Sequence, residues 1–542
     1  MWQFRFVFLC VLCLALVGFS PAQNDSSPFR KSSSTFTLSG TVVNSVTGES
    51  IGRALVRVSG VVQRTAFTDS EGRFQVDSLP AGSVDIGVQK PGYFSQQELN
   101  GGRRNNLVTV SSEAGPVLLK LTPQSAIYGR VTDTAGQPIE QITVRLTERN
   151  VRQGRLRWDS RGSAQSDEDG RFRFANLMPG TYYLAAGPGS DNVRLLANNQ
   201  KPKAGYPSLY YPGVQDLASA SPIQPAAGQQ MEVSFSMSAV PVYHVSGTVT
   251  GYLPDQGIGW QVLNQSGEQV SFPTRMRLDV GTFDLDAIPA GSYVLKASSQ
   301  AGDKPLRAEI SLNVTANMDN VHLVLGPALS IPVVVRVQPR DASSLGRPGW
   351  NQQRPPVSLR LIPTERLARE LASTFVQQSS GDEFMALQDV EPGKYSAEVM
   401  AGGQWYVQSA EYGPANLLSD NFMVGPGQAY PIEIVLRDDG ATLTGNLQSA
   451  SRNETFATVI VVPQPASRRA AKVSQFGSQS GFTMNGLAPG DYLIFAFDRI
   501  DDLEYANADA LQSYASQATH VTLSPDQEMH VVLNLIHTGE GE

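Results

Sequence analysis

One short pattern returns five times along this chain, and it limits the possible folds more than any other feature. It reads Gly-x-Phe, an apolar residue, Pro-Gly or Pro-Ala-Gly, then Tyr or Val opening an alternating run. The copies begin at Gly72-Arg73-Phe74 with Leu79-Pro80-Ala81-Gly82-Ser83-Val84, and at Gly170-Arg171-Phe172 with Leu177-Met178-Pro179-Gly180-Thr181-Tyr182. They continue at Gly281-Thr282-Phe283 with Ile288-Pro289-Ala290-Gly291-Ser292-Tyr293, and at Gly481-Phe482 with Leu487-Ala488-Pro489-Gly490-Asp491-Tyr492. The fourth copy in order, Phe384 with Val390-Glu391-Pro392-Gly393-Lys394-Tyr395, carries one extra residue between Phe and Val. A period near a hundred residues means several copies of one small domain. Within each copy, period-two alternation such as Phe74-Gln75-Val76 or Phe283-Asp284-Leu285 puts apolar residues on one face and polar ones on the other, as a two-sheet sandwich requires. The Pro-Gly step makes the reversal between strands, because Pro presets φ and Gly accepts φ > 0.

Each unit opens on a strand with glycine or a close relative: Ser39-Gly40-Thr41-Val42, Tyr128-Gly129-Arg130-Val131, Ser246-Gly247-Thr248-Val249 and Thr444-Gly445-Asn446-Leu447. The fourth substitutes Val334-Val335-Arg336-Val337. Apolar closing strands follow, so the fold class is all-β: about five tandem immunoglobulin-/transthyretin-like β-sandwich domains with two short accessory helices. The expected boundaries are 36–122, 123–238, 239–326, 327–438 and 439–537. One helix is expected after Thr364 as N-cap, with Leu367, Leu371 and Phe375 on one face, and the other over about 502–515. Arranged end to end, five domains would make a rod on the order of 150–200 Å.

Residues 1–22 read as a secretory signal: Arg5, the apolar stretch Phe6 to Phe19, and small residues at Ser20-Pro21-Ala22. Residues 23–35 read as a flexible lead-in. Both cysteines, Cys10 and Cys13, lie in the signal, which excludes disulfides, thiolate metal sites and a cysteine nucleophile from the mature chain. A net charge of -8 argues against nucleic acid as a partner. The expected place is therefore secreted or in the cell envelope, periplasm or outer surface, with no membrane span in the mature chain. No C-terminal span, sorting signal or lipobox is seen, which favours a soluble or non-covalently held protein.

The chain resembles the carboxypeptidase regulatory-like domains, which have a transthyretin-like β-sandwich and are grouped with starch-binding-type carbohydrate modules. The resemblance rests on Ser39-Gly40-Thr41-Val42, Thr47-Gly48, Thr68-Asp69-Ser70-Glu71-Gly72-Arg73-Phe74 and Leu79-Pro80-Ala81-Gly82. It recurs at Gly129-Arg130-Val131-Thr132-Asp133, Gly136-Gln137-Pro138-Ile139 and Ser166-Asp167-Glu168-Asp169-Gly170-Arg171-Phe172. What it implies is an accessory domain and not a peptidase.

The inventory of reactive residues agrees. Of five histidines only His537 has a glutamate three residues on, Glu540, and the polar tail around it could not orient zinc. Gly48-Glu49-Ser50-Ile51-Gly52 matches a nucleophile elbow in letters, but it aligns with a hairpin turn of the second unit. Asp69-Ser70-Glu71-Gly72 and Asp167-Glu168-Asp169-Gly170 offer oxygens for calcium, yet they recur where a β-turn is needed. No catalytic residue, metal or cofactor is expected.

Two stretches of the second unit are candidates for recognition. Arg149, Arg152, Arg155, Arg157 and Arg161 surround Trp158 in a hairpin; guanidinium forks suit carboxylate, sulfate or phosphate, and an indole face stacks on a sugar. The same charges would also protect a sheet edge from association. Tyr206, Tyr210 and Tyr211 lie in a Pro-rich loop that makes either stacking platforms or a plug for the sandwich end. The candidate ligand residues are therefore Arg155, Arg157, Trp158, Tyr206, Tyr210 and Tyr211, and the expected partner is a glycan or cell-surface polysaccharide, with envelope proteins as further partners. The rival reading is a structural spacer or assembly component.

Overall fold

The computed structural model describes residues 35–99, 107–188, 204–253, 256–301, 304–340, 357–364, 385–425, 427, 429–448, 456–465, 471–477 and 480–538. The signal segment, most of the lead-in, Phe384 and the helix expected after Thr364 lie outside these residues. The chain forms two compact units, 1–123 and 124–542.

The first unit is one sandwich. Strand Thr35–Asn44 pairs antiparallel with Arg73–Pro80 and parallel with Val117–Pro123. Facing it, Leu55–Ser59 lies between Arg64–Phe67 and Gly82–Gln89, which pairs on with Leu107–Val110. The alternating side chains meet in one core, with Leu38, Val42, Val56, Val58, Phe74, Leu79, Ile86 and Leu121 all at most 4% exposed. Burying a side chain of this size contributes about 1.5–3 kcal/mol.

The second unit holds four more sheet pairs of the same plan, each with its own core. In every one the opening strand pairs antiparallel with the strand of the repeated motif and parallel with the closing strand. Ser125–Asp133 does so with Arg171–Leu177 and with Gln230–Glu232 and Phe235–Met237. Val240–Thr250 does so with Thr282–Pro289 and Met318–Val324. Leu329–Gln338 pairs with Met385–Val390 and Ile432–Arg437, and Ala441–Leu447 with Phe482–Leu487 and Glu528–Leu533.

This topology explains the motif. At Gly40, Gly129, Gly247 and Gly445 a Cβ would lie 1.7–2.5 Å from a carbonyl oxygen of the closing strand and within 3.1 Å of the motif phenylalanine ring. Glycine and phenylalanine are thus two halves of one contact. The register of the opening strand breaks at the equivalent place in all five pairs, and the residue before the motif's second apolar position takes a positive φ: Ser78, Asn176, Ala287, Asp389 and Gly486. Such a bulge turns the following Leu, Ile or Val into the core. The tyrosine after Pro-Gly donates its hydroxyl hydrogen bond four residues back in four copies: Tyr182 to Met178 O (2.8 Å), Tyr293 to Pro289 O (3.1 Å), Tyr395 to Glu391 O (2.8 Å) and Tyr492 to Ala488 O (2.6 Å). The first copy has Val84 there and lacks the bond.

Three details depart from expectation. Ala204–Gly205, before the closing strands of the second sandwich, pairs with Val240–Thr250 of the third. The expected helix over 502–515 is one short α-helix, Ala508–Gln512, capped by the Asn507 side chain and followed by a 3-10 turn at Ala515–Gln517. A four-residue helix, Gln96–Leu99, stands in the first sandwich where none was expected. Nor are the four sandwiches of the second unit strung end to end, because the second touches the third, the fourth and the fifth.

Candidate functional site

Those contacts come from the arginine-rich hairpin, Ile142–Arg152 and Arg155–Gln165. Gln153 (φ 52°) and Gly154 (φ 70°) form its two-residue turn, the backbone geometry that matches strand twist. Pairing with the next strand, Thr181–Pro188, runs only from Ile142 to Arg149, so the rungs from Asn150 to Arg157 project beyond it.

The projecting tip is fastened to the fourth and fifth sandwiches. Arg155 donates Nε to Glu398 Oε1 at 2.7 Å, and both side chains are largely buried. Arg149 pairs with Glu504 at 2.9 Å, and Arg360 donates to Gln153 Oε1 at 3.1 Å. Ala506 N–H donates to Gly154 O at 3.0 Å. The ring of Tyr505 lies where a Cβ on Gly154 would be, 2.4 Å away, so only glycine fits. Within the hairpin, Arg152 and Asn150 share Asp159 (2.6 and 2.8 Å), and Arg161 donates Nε to the buried Glu148 at 2.6 Å. Arg157 faces Asn150 across the ladder and is half-buried.

The aromatic candidates sit nearby. Trp158 is half-buried, edge-on to Tyr183 with centroids 4.9 Å apart, in a cluster with Ala185, Tyr210 and Leu217. Tyr210 is 5% exposed, and its hydroxyl donates to Glu268 Oε2 of the third sandwich at 2.8 Å. Arg145 holds the other oxygen of Glu268 at 2.6 Å. Burial first, then the Glu268 charge, push the Tyr210 hydroxyl well above its ordinary pKa, so it remains a donor. Tyr206 and Tyr211 are half-buried against the second core, with Tyr211 edge-on to Phe235. The six candidates therefore lie on one hairpin and one loop of the second sandwich, and Arg155 and Tyr210 reach other sandwiches. Glu268, Glu398, Glu504 and Tyr505 complete the arrangement. Sequence reading missed them because each stands more than fifty positions from its partner, with no local pattern to mark it.

The remaining candidate chemistry resolves into turns and pairs. Asp69 Oδ1 accepts from the amides of Glu71 and Arg73, and Asp167 Oδ1 from those of Asp169 and Arg171, the side-chain capping a tight turn uses. Gly48 lies in the turn closed by Asn44 N to Glu49 O, and strand rather than helix follows Ser50. His244 stands between Asp286 (2.8 Å) and Asp284 (3.3 Å). His537 meets Asp498 at 3.1 Å, and Glu540 lies outside the described residues. Among the described residues no group of three or more His, Cys, Asp or Glu is placed to hold a metal, and no helix is long and apolar enough to cross a membrane.

A cleft of about 600 Å³ opens between the fourth and fifth sandwiches, with Gln153 of the hairpin at its rim. Its walls are strands Val357–Pro363, Gly393–Ala401, Lys472–Gly477 and Phe482–Leu487, with Trp405, Tyr406 and Tyr505 alongside.

These features define a class: a multidomain all-β protein of repeated sandwiches, four of them tied into one unit. Two tandem stretches, residues 37–112 and 126–200, match the carboxypeptidase regulatory-like domain. No curated protein matches it. Among solved structures it is similar to the Bacillus anthracis TIE protein at 15% identity, covering 54% of this chain and 51% of that one, with TM-score 0.18. The chain thus spans about half the length of that protein. It is also similar to a streptococcal ancillary pilin (13% identity, 54% and 100% covered, TM-score 0.19) and to BcpA, the major pilin subunit of Bacillus cereus (9%, 74% and 99%, TM-score 0.16).

Proposed function

We propose that this protein is an exported, non-catalytic, multidomain binding protein that recognises glycans at or outside the cell envelope. The observation that carries the reading is the hairpin clamp: Arg155 to Glu398, Arg149 to Glu504 and Gly154 to Ala506 fasten the second sandwich to domains two and three places further along the chain. A spacer needs contacts only between neighbours. Ties between non-neighbours hold a composite surface in fixed geometry, which favours recognition by lowering the ordering cost of binding.

Within this proposal the half-buried Trp158 offers its indole to a sugar ring. Arg155, Tyr206, Tyr210 and Tyr211 hold the platform in place. The test is a polysaccharide-binding screen of residues 23–542 with Trp158→Ala alongside. Saturable binding weakened by that variant supports the reading; silence across a broad panel from folded protein overturns it.

The rival, a structural spacer or assembly component of the cell surface, draws support from the seam between the third and fourth sandwiches. There Lys296 pairs with Glu391 at 2.5 Å and Arg307 with Asp389 at 2.5 Å, so this junction is pinned at two points.

A further inference from the structure

We propose that the cleft between the fourth and fifth sandwiches binds a carboxylated sugar, a uronate ring, with Lys472 as the partner of the carboxylate and Trp405 as the apolar wall for the ring. The inference rests on the glycan reading above and adds a second site with its own ligand chemistry.

Size and place come first. A volume of about 600 Å³ falls within the roughly 300–1,000 Å³ of small-molecule sites, which favour domain junctions. Charge comes next. The lining residues include two cations, Arg360 and Lys472, against one carboxylate, Glu398. That carboxylate is already held by Arg155 at 2.7 Å. Lys472 Nζ donates to the backbone carbonyls of Asn485 (2.5 Å) and Gly486 (2.6 Å), and among the described residues no carboxylate pairs with it. Burial pulls its pKa down to about 8, the mark of a cation that water has left and no anion has replaced. An entering carboxylate would restore that balance with a charge-assisted hydrogen bond.

The walls select the rest of the ligand. Trp405, Met400 (53% exposed) and Val473 (39% exposed) give apolar surface, while Ser358, Ser474 and Thr483 interrupt it with hydroxyl groups. A fatty acid would want an unbroken apolar channel. A pyranose has alternating apolar faces and hydroxyl edges, and its one carboxylate pairs with the single ammonium of Lys472.

The test is calorimetric titration of the full chain with glucuronate and galacturonate, with glucose and galactose as neutral controls. The expected result is saturable uronate binding about tenfold or more tighter than the neutral sugars, a difference of about 1.4 kcal/mol. Met400→Trp, at an exposed position, fills the cleft, and Lys472→Gln removes the charge; each should weaken uronate binding about tenfold or more, while Lys472→Arg retains it. Oligouronates separate the sources: a gain over the monosaccharide means the ligand is a polymer residue, and none means the free acid. Equal binding of acid and neutral sugars, or uronate binding unaffected by Met400→Trp, overturns the site. Neutral-glycan binding without uronate binding overturns it too, and leaves the broader glycan reading standing.

Discussion

Replacing Gly40 by alanine tests the Gly–Phe contact that the repeat encodes. The added Cβ would lie 2.2 Å from the carbonyl oxygen of Val117 and 2.7 Å from the Phe74 ring. A carbon–oxygen contact needs about 3.3 Å, so the closing strand must retreat by roughly 1 Å or the ring must leave its place. Phe74 is 4% exposed and packed in the core, which blocks the second route. Overpacking costs about 1–3 kcal/mol, and loosening the parallel ladder from Val117 onward adds about 1 kcal/mol per hydrogen bond lost. Against this, alanine lowers the unfolded chain's entropy by about 0.4–1 kcal/mol. The net loss is about 2–3 kcal/mol. For a domain of this size that lowers the melting transition by roughly 10–20 °C. Calorimetry of the full chain, with hydrogen exchange assigning the transition to residues 35–123, measures it. Gly87→Ala is the matched control, since no atom lies within 4 Å of its Cβ and φ is not positive. If Gly40→Ala proves as harmless as Gly87→Ala, the contact does not explain the repeat.

Three other perturbations follow from the same geometry. Arg155→Ala leaves the largely buried Glu398 without its partner and should cost about 1–3 kcal/mol, seen as faster exchange at residues 150–157 and 505–506; the swap Arg155→Glu with Glu398→Arg should recover part of it. Tyr492→Phe removes the bond to Ala488 O and should lower stability by about 1 kcal/mol in a denaturant titration, whereas Val84, with no hydroxyl, makes the first sandwich indifferent to this class of change. At the junction of the fourth and fifth sandwiches, the Arg437 guanidinium grips Asp439 through two bonds (2.9 and 2.6 Å) and holds its carboxyl below the ordinary value of 3.8. Because the folded value is the lower one, this stabilisation is complete above the unfolded value and fades as pH falls through the folded one. Asp439→Asn should therefore flatten the acid limb of a stability–pH curve below about pH 4, and an unchanged limb would remove the pair from the account.

Much of the fold could be read from the sequence because its causes are local. Phe at fixed distance from Pro-Gly, glycine in the opening strand and period-two alternation each reflect forces acting within a few residues or across one strand pair, and they recur in five sandwiches. The bulge was less legible. Its positive-φ residue is Ser78, Asn176, Ala287, Asp389 or Gly486, five residue types for one backbone state, so no letter marks it.

What the sequence by itself determined is therefore the sandwich: which faces are apolar, where the reversals fall, and that the unit repeats. The relation among the sandwiches of the second unit was decided only in three dimensions. Arg155 and Glu398 are separated by 243 positions, and Arg149 and Glu504 by 355. A charge on an exposed-looking strand carries no signal of the carboxylate that will meet it. Five arginines around a tryptophan read as a surface for a ligand or as the charged edge of a hairpin; only the placement of Glu398, Glu504 and Tyr505 shows that two of them, with the turn between, fasten one sandwich to two others. The cleft has the same origin. Its walls come from strands of separate domains, and a cavity between domains exists only once their packing has been set.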